Sequence, residues 1–350
     1  MILLRSIPCT LSDALSTAKL ALFMLCLPAL FALAAAAQEP QGEEEVVRVE
    51  TNLVQLNVGV VDRQGRAITN LSRGDFVIYE NDVAQPIQSF EPTTTPFSLV
   101  MMLDMSGSTI TIRQQIKQAA WRFLDALAPE DRVAVVAFNQ KIEMLTPGFT
   151  TDRRKIAYGI EIAEGRGETQ FYKALDYSLK QLAKEGRRRK AIIVLTDGID
   201  TELRNADRTQ AAHAQTNEEA IASIKPDSSP ALNAVLNAAD RQGVTIFPLA
   251  LPSGDPKRLP LPDPTIIAIY TSARTRLQTL ADRTGGYLNE IRRLEEMGRL
   301  YAQVAASLRT LYTISYQATG QRQRGSWRKV RVEVARPELI ARTRPGYYAR

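Results

Sequence analysis

Histidine and cysteine are almost missing from this sequence. Its 350 residues hold one histidine, His213, and two cysteines, Cys9 and Cys26. A metal centre built from nitrogen and sulfur ligands is excluded, and so is a catalytic engine that needs several histidines. Long runs of lysine or arginine are lacking too. The formal charge is +6, from 44 basic against 38 acidic residues, which is mild for this length and points to no nucleic-acid surface. What remains is an ordinary globular composition, 45% hydrophobic and 23% charged. That is enough for a sizeable core and for two or three domains, and it excludes a mainly disordered, collagen-like or coiled-coil chain.

Arg5 and Lys19 precede an apolar run from Leu20 to Leu33, and Ala34 to Ala37 follow it. A basic start, an apolar stretch and a small-residue end read as a secretory signal peptide over 1–37, cut after Ala37. An uncleaved membrane anchor is the alternative, which Pro28 and the alanine-rich end disfavour. Both cysteines lie in the part removed, so the exported chain has no disulfide and depends on packing. The expected location is secreted, periplasmic or cell-envelope, with membrane contact only through export. An acidic spacer over 38–46 follows, with Glu43, Glu44 and Glu45.

The rest reads as β, then α/β, then β. In the N-terminal β segment, 47–95, Val54, Leu56, Val58 and Val60 alternate with polar residues, the period of a half-buried strand. Phe76–Tyr79 and Gln85–Phe90 read as further strands, with a turn at Asn81-Asp82 between them. From Phe97 the rhythm changes. Phe97–Leu103, Arg132–Phe138, Ala191–Leu195 and Val244–Leu249 are nearly continuous apolar runs, the pattern of strands buried on both faces of a parallel sheet. Helical spacing separates them: Ile112, Ile116, Ala119, Phe123 and Leu127 share one face, and a helix is expected from Tyr172 to Lys184. Ser229-Pro230 opens another helix and Gly243 closes it. Trp121 is expected against the sheet, and Arg187–Lys190 as a solvated turn. Period two returns in the C-terminal β segment, 311–350, at Tyr312, Ile314 and Tyr316 and again at Val330, Val332 and Val334. Tyr347 and Tyr348 are expected in its core, Trp327 in its core or edge. The expected fold is α/β: a doubly wound, mostly parallel sheet over 97–310, inserted between two β segments too short to bury their faces alone and therefore paired in one small β-sandwich.

One constellation carries chemistry. The first buried strand ends in Asp104-Met-Ser106-Gly-Ser108, and a later one in Thr196-Asp197-Gly198. Thr169 stands between them in sequence, just ahead of a helix. In a wound α/β sheet, loops at the carboxyl ends of strands converge on a crevice where the strand order reverses. Asp104, Ser106, Ser108, Thr169 and Asp197 then bring two carboxylates and three hydroxyls together. An all-oxygen donor set selects a hard cation, Mg²⁺ first, then Mn²⁺ or Ca²⁺. Lone His213 reads as a solvated side chain rather than a ligand.

These residues resemble the metal-ion-dependent adhesion site of the von Willebrand factor type A domain family. Asp104, Ser106 and Ser108 match its D-x-S-x-S, Thr169 its threonine, and Asp197 the aspartate of its T-D-G. The short pattern is weak alone; with a buried strand before it and the other two segments in order it is specific. More narrowly, the β segment ahead of the domain and the tail Arg344-Pro-Gly-Tyr-Tyr-Ala349 resemble secreted bacterial proteins related to that family. The resemblance implies a non-enzymatic binding module that captures an Asp or Glu of a protein ligand through the cation. Two alternatives stay open: a structural scaffold of an envelope complex with a vestigial site, and a metal-assisted hydrolase using Asp104 as nucleophile. The hydrolase lacks a second carboxylate two residues on and any visible tuned acid. The stretches 203–224 and 251–264 exceed the minimal domain.

Overall fold

The continuous apolar runs form the central sheet. The computed structural model describes residues 53–186, 188–258, 263–318, 323 and 325–349, so the expected signal peptide and acidic spacer lie outside the described residues. Strands β5 (Phe97–Asp104), β6 (Arg132–Phe138), β8 (Arg189–Thr196), β9 (Val244–Ala250) and β10 (Asn289–Glu290) run parallel, and β7 (Ile142–Met144) closes one edge antiparallel. Their order is β10-β9-β8-β5-β6-β7, which reverses direction between β5 and β8. Alternate residues of each strand enter different cores. Leu99, Met101 and Leu103 pack with α1 (Arg113–Ala126), α2 (Arg153–Glu161) and α8 (Met297–Leu308) on one face. Val100 and Met102 pack with α3 (Phe171–Ala183), α6 (Pro230–Gln242) and α7 (Pro264–Thr284) on the other. Both faces are covered, which is why these strands read as unbroken hydrophobic runs.

Helix α6 starts and stops where its sequence signals lie. The Ser229 hydroxyl accepts from the Leu232 N–H, Pro230 occupies the first turn, and Gly243 adopts the left-handed conformation at φ 63°. The polar 203–224 stretch divides into α4 (Thr201–Ala211) and α5 (Asn217–Ser223), with His213 exposed in the turn between them. Helix α2 has no counterpart among the expected elements. It is nine residues long, buries only Ile156, Gly159 and Ile160, and is marked chiefly by its Asp152 cap. Trp121 is 41% exposed rather than set against the sheet, because it falls outside the stripe of Ile116, Ala120, Phe123 and Leu124.

The terminal β segments pair with each other. One sheet has the order β13-β1-β11-β4, from β1 (Leu53–Val61), β4 (Ile87–Glu91), β11 (Leu311–Gln317) and β13 (Ile340–Arg342). The facing sheet has the order β14-β12-β2-β3, from β2 (Phe76–Glu80), β3 (Val83–Gln85), β12 (Trp327–Val334) and β14 (Gly346–Tyr348). Val54, Leu56, Val58, Val60, Tyr312, Ile314 and Tyr316 meet Phe76, Ile78, Val330, Val332 and Tyr347 in the shared core. Asn81 and Asp82 both have positive φ, as a tight two-residue hairpin requires. The expected strand Gln85–Phe90 is broken at Pro86: β3 stays in one sheet and β4 crosses to the other. Tyr347 is buried, but Tyr348 is exposed and meets Trp327 edge to face at 5.1 Å.

The second face of the first sheet is not solvated. Asn57 donates to the Gly243 carbonyl at 3.1 Å and the Thr245 hydroxyl at 2.8 Å, and accepts from the Thr313 hydroxyl. Arg344 donates to the main chain and carboxylate of Asp240, each at 3.0 Å, and to the Gln55 carbonyl. The expected solvated turn is also overturned. Arg189 and Lys190 are buried in β8, while Arg187 lies outside the described residues. Arg189 donates to the carbonyls of Thr93 and Thr95 on the chain entering the α/β unit and to those of Leu308 and Leu311 on the chain leaving it, and stacks 3.9 Å over Phe97. A guanidinium with five donors can be buried at such a convergence of carbonyls, where a solvated turn would leave them unpaired. Among the described residues no helix is long and apolar enough to cross a membrane.

Candidate metal centre

Asp104 ends β5 and Asp197 follows β8, so the two sit side by side where the strand order reverses. Both are buried, at 0% and 2% exposure. One oxygen of Asp104 accepts from the Ser106 N–H at 3.0 Å and the other from the Thr196 hydroxyl at 2.7 Å. Ser106 and Ser108 meet hydroxyl to hydroxyl at 3.1 Å, and the nearby Ser108 hydroxyl draws the Asp197 carboxyl down against the effect of burial. Asp197 accepts in addition from the Ile199 N–H at 3.0 Å. Four of the five expected residues are thus brought into one group by contacts between side chains or with neighbouring main chain.

The main-chain bonds of Thr169 run instead to Thr201. Thr169 is buried on the loop ahead of α3, its N–H donates to the Thr201 hydroxyl at 3.0 Å, and its carbonyl accepts from the Thr201 N–H at 2.9 Å. Two residues earlier the Gly167 carbonyl accepts from the Gly107 N–H at 3.0 Å, which ties this loop to the one carrying the serines. The proline-rich stretch after β9 lies against the site as well. A side chain at Gly254 would meet the Asp197 carbonyl at 2.2 Å, so only glycine permits this approach.

Burial, and then the charge of neighbouring Asp197, pushes the Asp104 carboxyl up to about 7. Burial likewise raises Asp197 above the usual carboxylate range. Among the described residues neither carboxylate has an ion-pair partner; Arg274, whose charge draws the Asp197 carboxyl down, donates to the Leu251 carbonyl and lies 3.5 Å from Glu290. Two buried carboxylates with adjacent hydroxyls and no paired cation fit a hard divalent ion by charge and by donor type. Among the described residues no cluster of three or more His, Cys, Asp or Glu is placed to hold a metal, so a cation here depends on hydroxyl donors.

Several residues that shape the site are absent from the expected set. Thr196 anchors Asp104 and also accepts from the Gly198 N–H, and its place beside Asp197 in T-D-G was a usable signal. Thr109, fully buried, donates to the carbonyls of Asp104 and Ser106. Asp200 caps α4 and accepts from the Tyr172 N–H, joining α3 to the loop after Asp197. Neither had a local pattern that separated it from an ordinary cap.

Residues 99–199 match the family model of the von Willebrand factor type A domain. None of the curated proteins matches the chain. Similar solved structures include a von Willebrand factor type A protein from Catenulispora acidiphila, with 14% identity, 85% of this chain and 72% of that chain covered, and a TM-score of 0.46. The vWF domain of the type V pili tip protein Mfa5 from Porphyromonas gingivalis has 15% identity, 66% and 99% coverage, and a TM-score of 0.45. An aerotolerance-related membrane protein from Bacteroides fragilis has 14% identity, 60% and 98% coverage, and a TM-score of 0.41. The matched stretch, 99–199, is similar to the von Willebrand factor type A domain and holds both the D-x-S-x-S and the T-D-G segments at the point where the strand order reverses.

Proposed function

We propose that this domain is an exported, non-enzymatic binding module that captures an Asp or Glu side chain of a protein partner through a divalent cation, Mg²⁺ first, held by Asp104, Ser106, Ser108, Thr169 and Asp197. Domains of this family serve as protein-interaction modules and often bind a divalent cation. The observation that carries the reading is the pair of buried carboxylates, Asp104 and Asp197, set among hydroxyls without a cation of their own. When bound, the ion supplies electrophilic character toward an incoming carboxylate. The protein does the rest. Thr196 and the Ser106 N–H fix the Asp104 carboxylate, the Ile199 N–H orients Asp197, and the neutral hydroxyls leave positive charge uncancelled. A desolvated carboxylate contact of this kind can anchor an interface. Export is supported by the basic start, apolar run and alanine-rich end of residues 1–37.

Calorimetric titration of the purified protein with Mg²⁺ or Mn²⁺ tests the reading. Saturable binding that Asp104→Ala abolishes is the expected result. Binding that survives this substitution would remove the site assignment, and partner capture indifferent to chelator would favour the scaffold.

A further inference from the structure

The two loops that carry the hydroxyls come from distant parts of the chain, and one side chain spans both. Arg113 begins α1, and its Nη2 donates to the Met105 carbonyl at 2.9 Å and to the Ser106 carbonyl at 3.2 Å, on the loop after β5. The same nitrogen donates to the carbonyl of Gly165, on the loop that leads to Thr169. The guanidinium is half-buried. The fit between the loops is close: a side chain at Gly165 would meet the Met105 carbonyl at 2.7 Å and the Asn139 amide at 1.9 Å. Two residues beyond each contact, the Gly107 N–H donates to the Gly167 carbonyl. Arg113 and the Gly107–Gly167 bond therefore join the loops at two successive points.

We infer that Arg113 is a positioning residue of the metal centre, stapling the Ser106–Ser108 loop to the Thr169 loop so that their hydroxyls face one ion. This rests on the reading of the site as a cation site, but the staple itself does not need the ion. The Ser106 carbonyl also accepts from Thr109, so the bonds that join the loops are those to the Met105 and Gly165 carbonyls, for which a charged donor is a strong partner. Outer partners that orient ligands in this way govern metal affinity without touching the metal. All three bonds come from one nitrogen, so the three donors of a lysine ammonium can replace part of them, on a side chain with a different reach and without the rigid plane of the guanidinium.

The test compares the full chain with Arg113→Ala, Arg113→Lys and Asp104→Ala in two measurements. The first is amide hydrogen exchange at Gly107 in chelator. The second is calorimetric titration with Mn²⁺, with thermal midpoints as the control for folding. Faster Gly107 exchange in Arg113→Ala, a Mn²⁺ affinity about tenfold to a hundredfold weaker, and partial recovery of both in Arg113→Lys are expected. Unchanged Gly107 exchange overturns the staple, and faster exchange with unchanged affinity overturns its role in the site. If the unaltered protein takes up no Mn²⁺, the cation reading fails by itself, and Gly107 exchange alone then decides whether Arg113 joins the loops.

Discussion

At the scale of single residues, Asp104 is where a proton and the proposed cation would compete. Unfolded, its carboxyl titrates near 3.8; folded and without a cation, burial and Asp197 move it to about 7. Between those values the folded chain keeps a proton that the unfolded chain has released, so metal-free stability falls as pH rises through this window. Above about pH 7 the cost is complete, and there a divalent cation has most to offset. Thermal midpoints with chelator and with Mg²⁺ should therefore differ more at about pH 8 than at about pH 5. An equal increment at both values would show that Asp104 does not compete with a proton for the ion.

At the scale of elements, the end of α6 is one place where the α/β unit touches the sandwich. Gly243 closes the helix at φ 63°, and a side chain there would meet Gln55 of β1 at 2.9 Å. Its carbonyl also accepts from Asn57. Gly243→Ala must adopt a left-handed conformation that costs an L-residue about 1 to 2 kcal/mol, and must displace Gln55 as well. A lower urea midpoint with an unchanged slope is expected. An unchanged midpoint would mean that the helix end relaxes away from β1. Metal affinity should stay as in the unaltered chain, because α6 ends at the N-terminal ends of the strands, whereas Asp104 and Asp197 lie at their C-terminal ends.

At the scale of the whole molecule, Arg189 holds together the places where the chain enters and leaves the α/β unit. Its carbonyl partners lie before β5, at the end of α8 and at the start of β11. Arg189→Met fills similar volume but leaves these buried carbonyls without a charged donor, a loss of about 3 kcal/mol or more. Denaturant unfolding should show that loss in one cooperative transition, since the sandwich is built from segments on both sides of the insert. Two separate transitions in the unaltered protein would show that sandwich and α/β unit are joined only loosely.

Much of this was legible in the residues themselves. Alternation marked β1, β11 and β12, continuous apolar runs marked β5, β6, β8 and β9, and Ser229-Pro230 with Gly243 bounded α6, because each signal is written within a few neighbouring positions. The D-x-S-x-S, Thr169 and T-D-G segments were legible for the same reason. Other features depend on contacts across long separations, as between Asn57 and Thr245, 188 residues apart. Only the tertiary structure decided that Pro86 switches sheets, that Arg189 is buried against carbonyls, and that Arg113 spans two loops. It also set Asp197 close enough to Asp104 to raise the proton affinity of Asp104. Local sequence specifies which faces are apolar and where turns fall; the burial of a charge depends on which carbonyls and carboxylates the completed fold brings beside it.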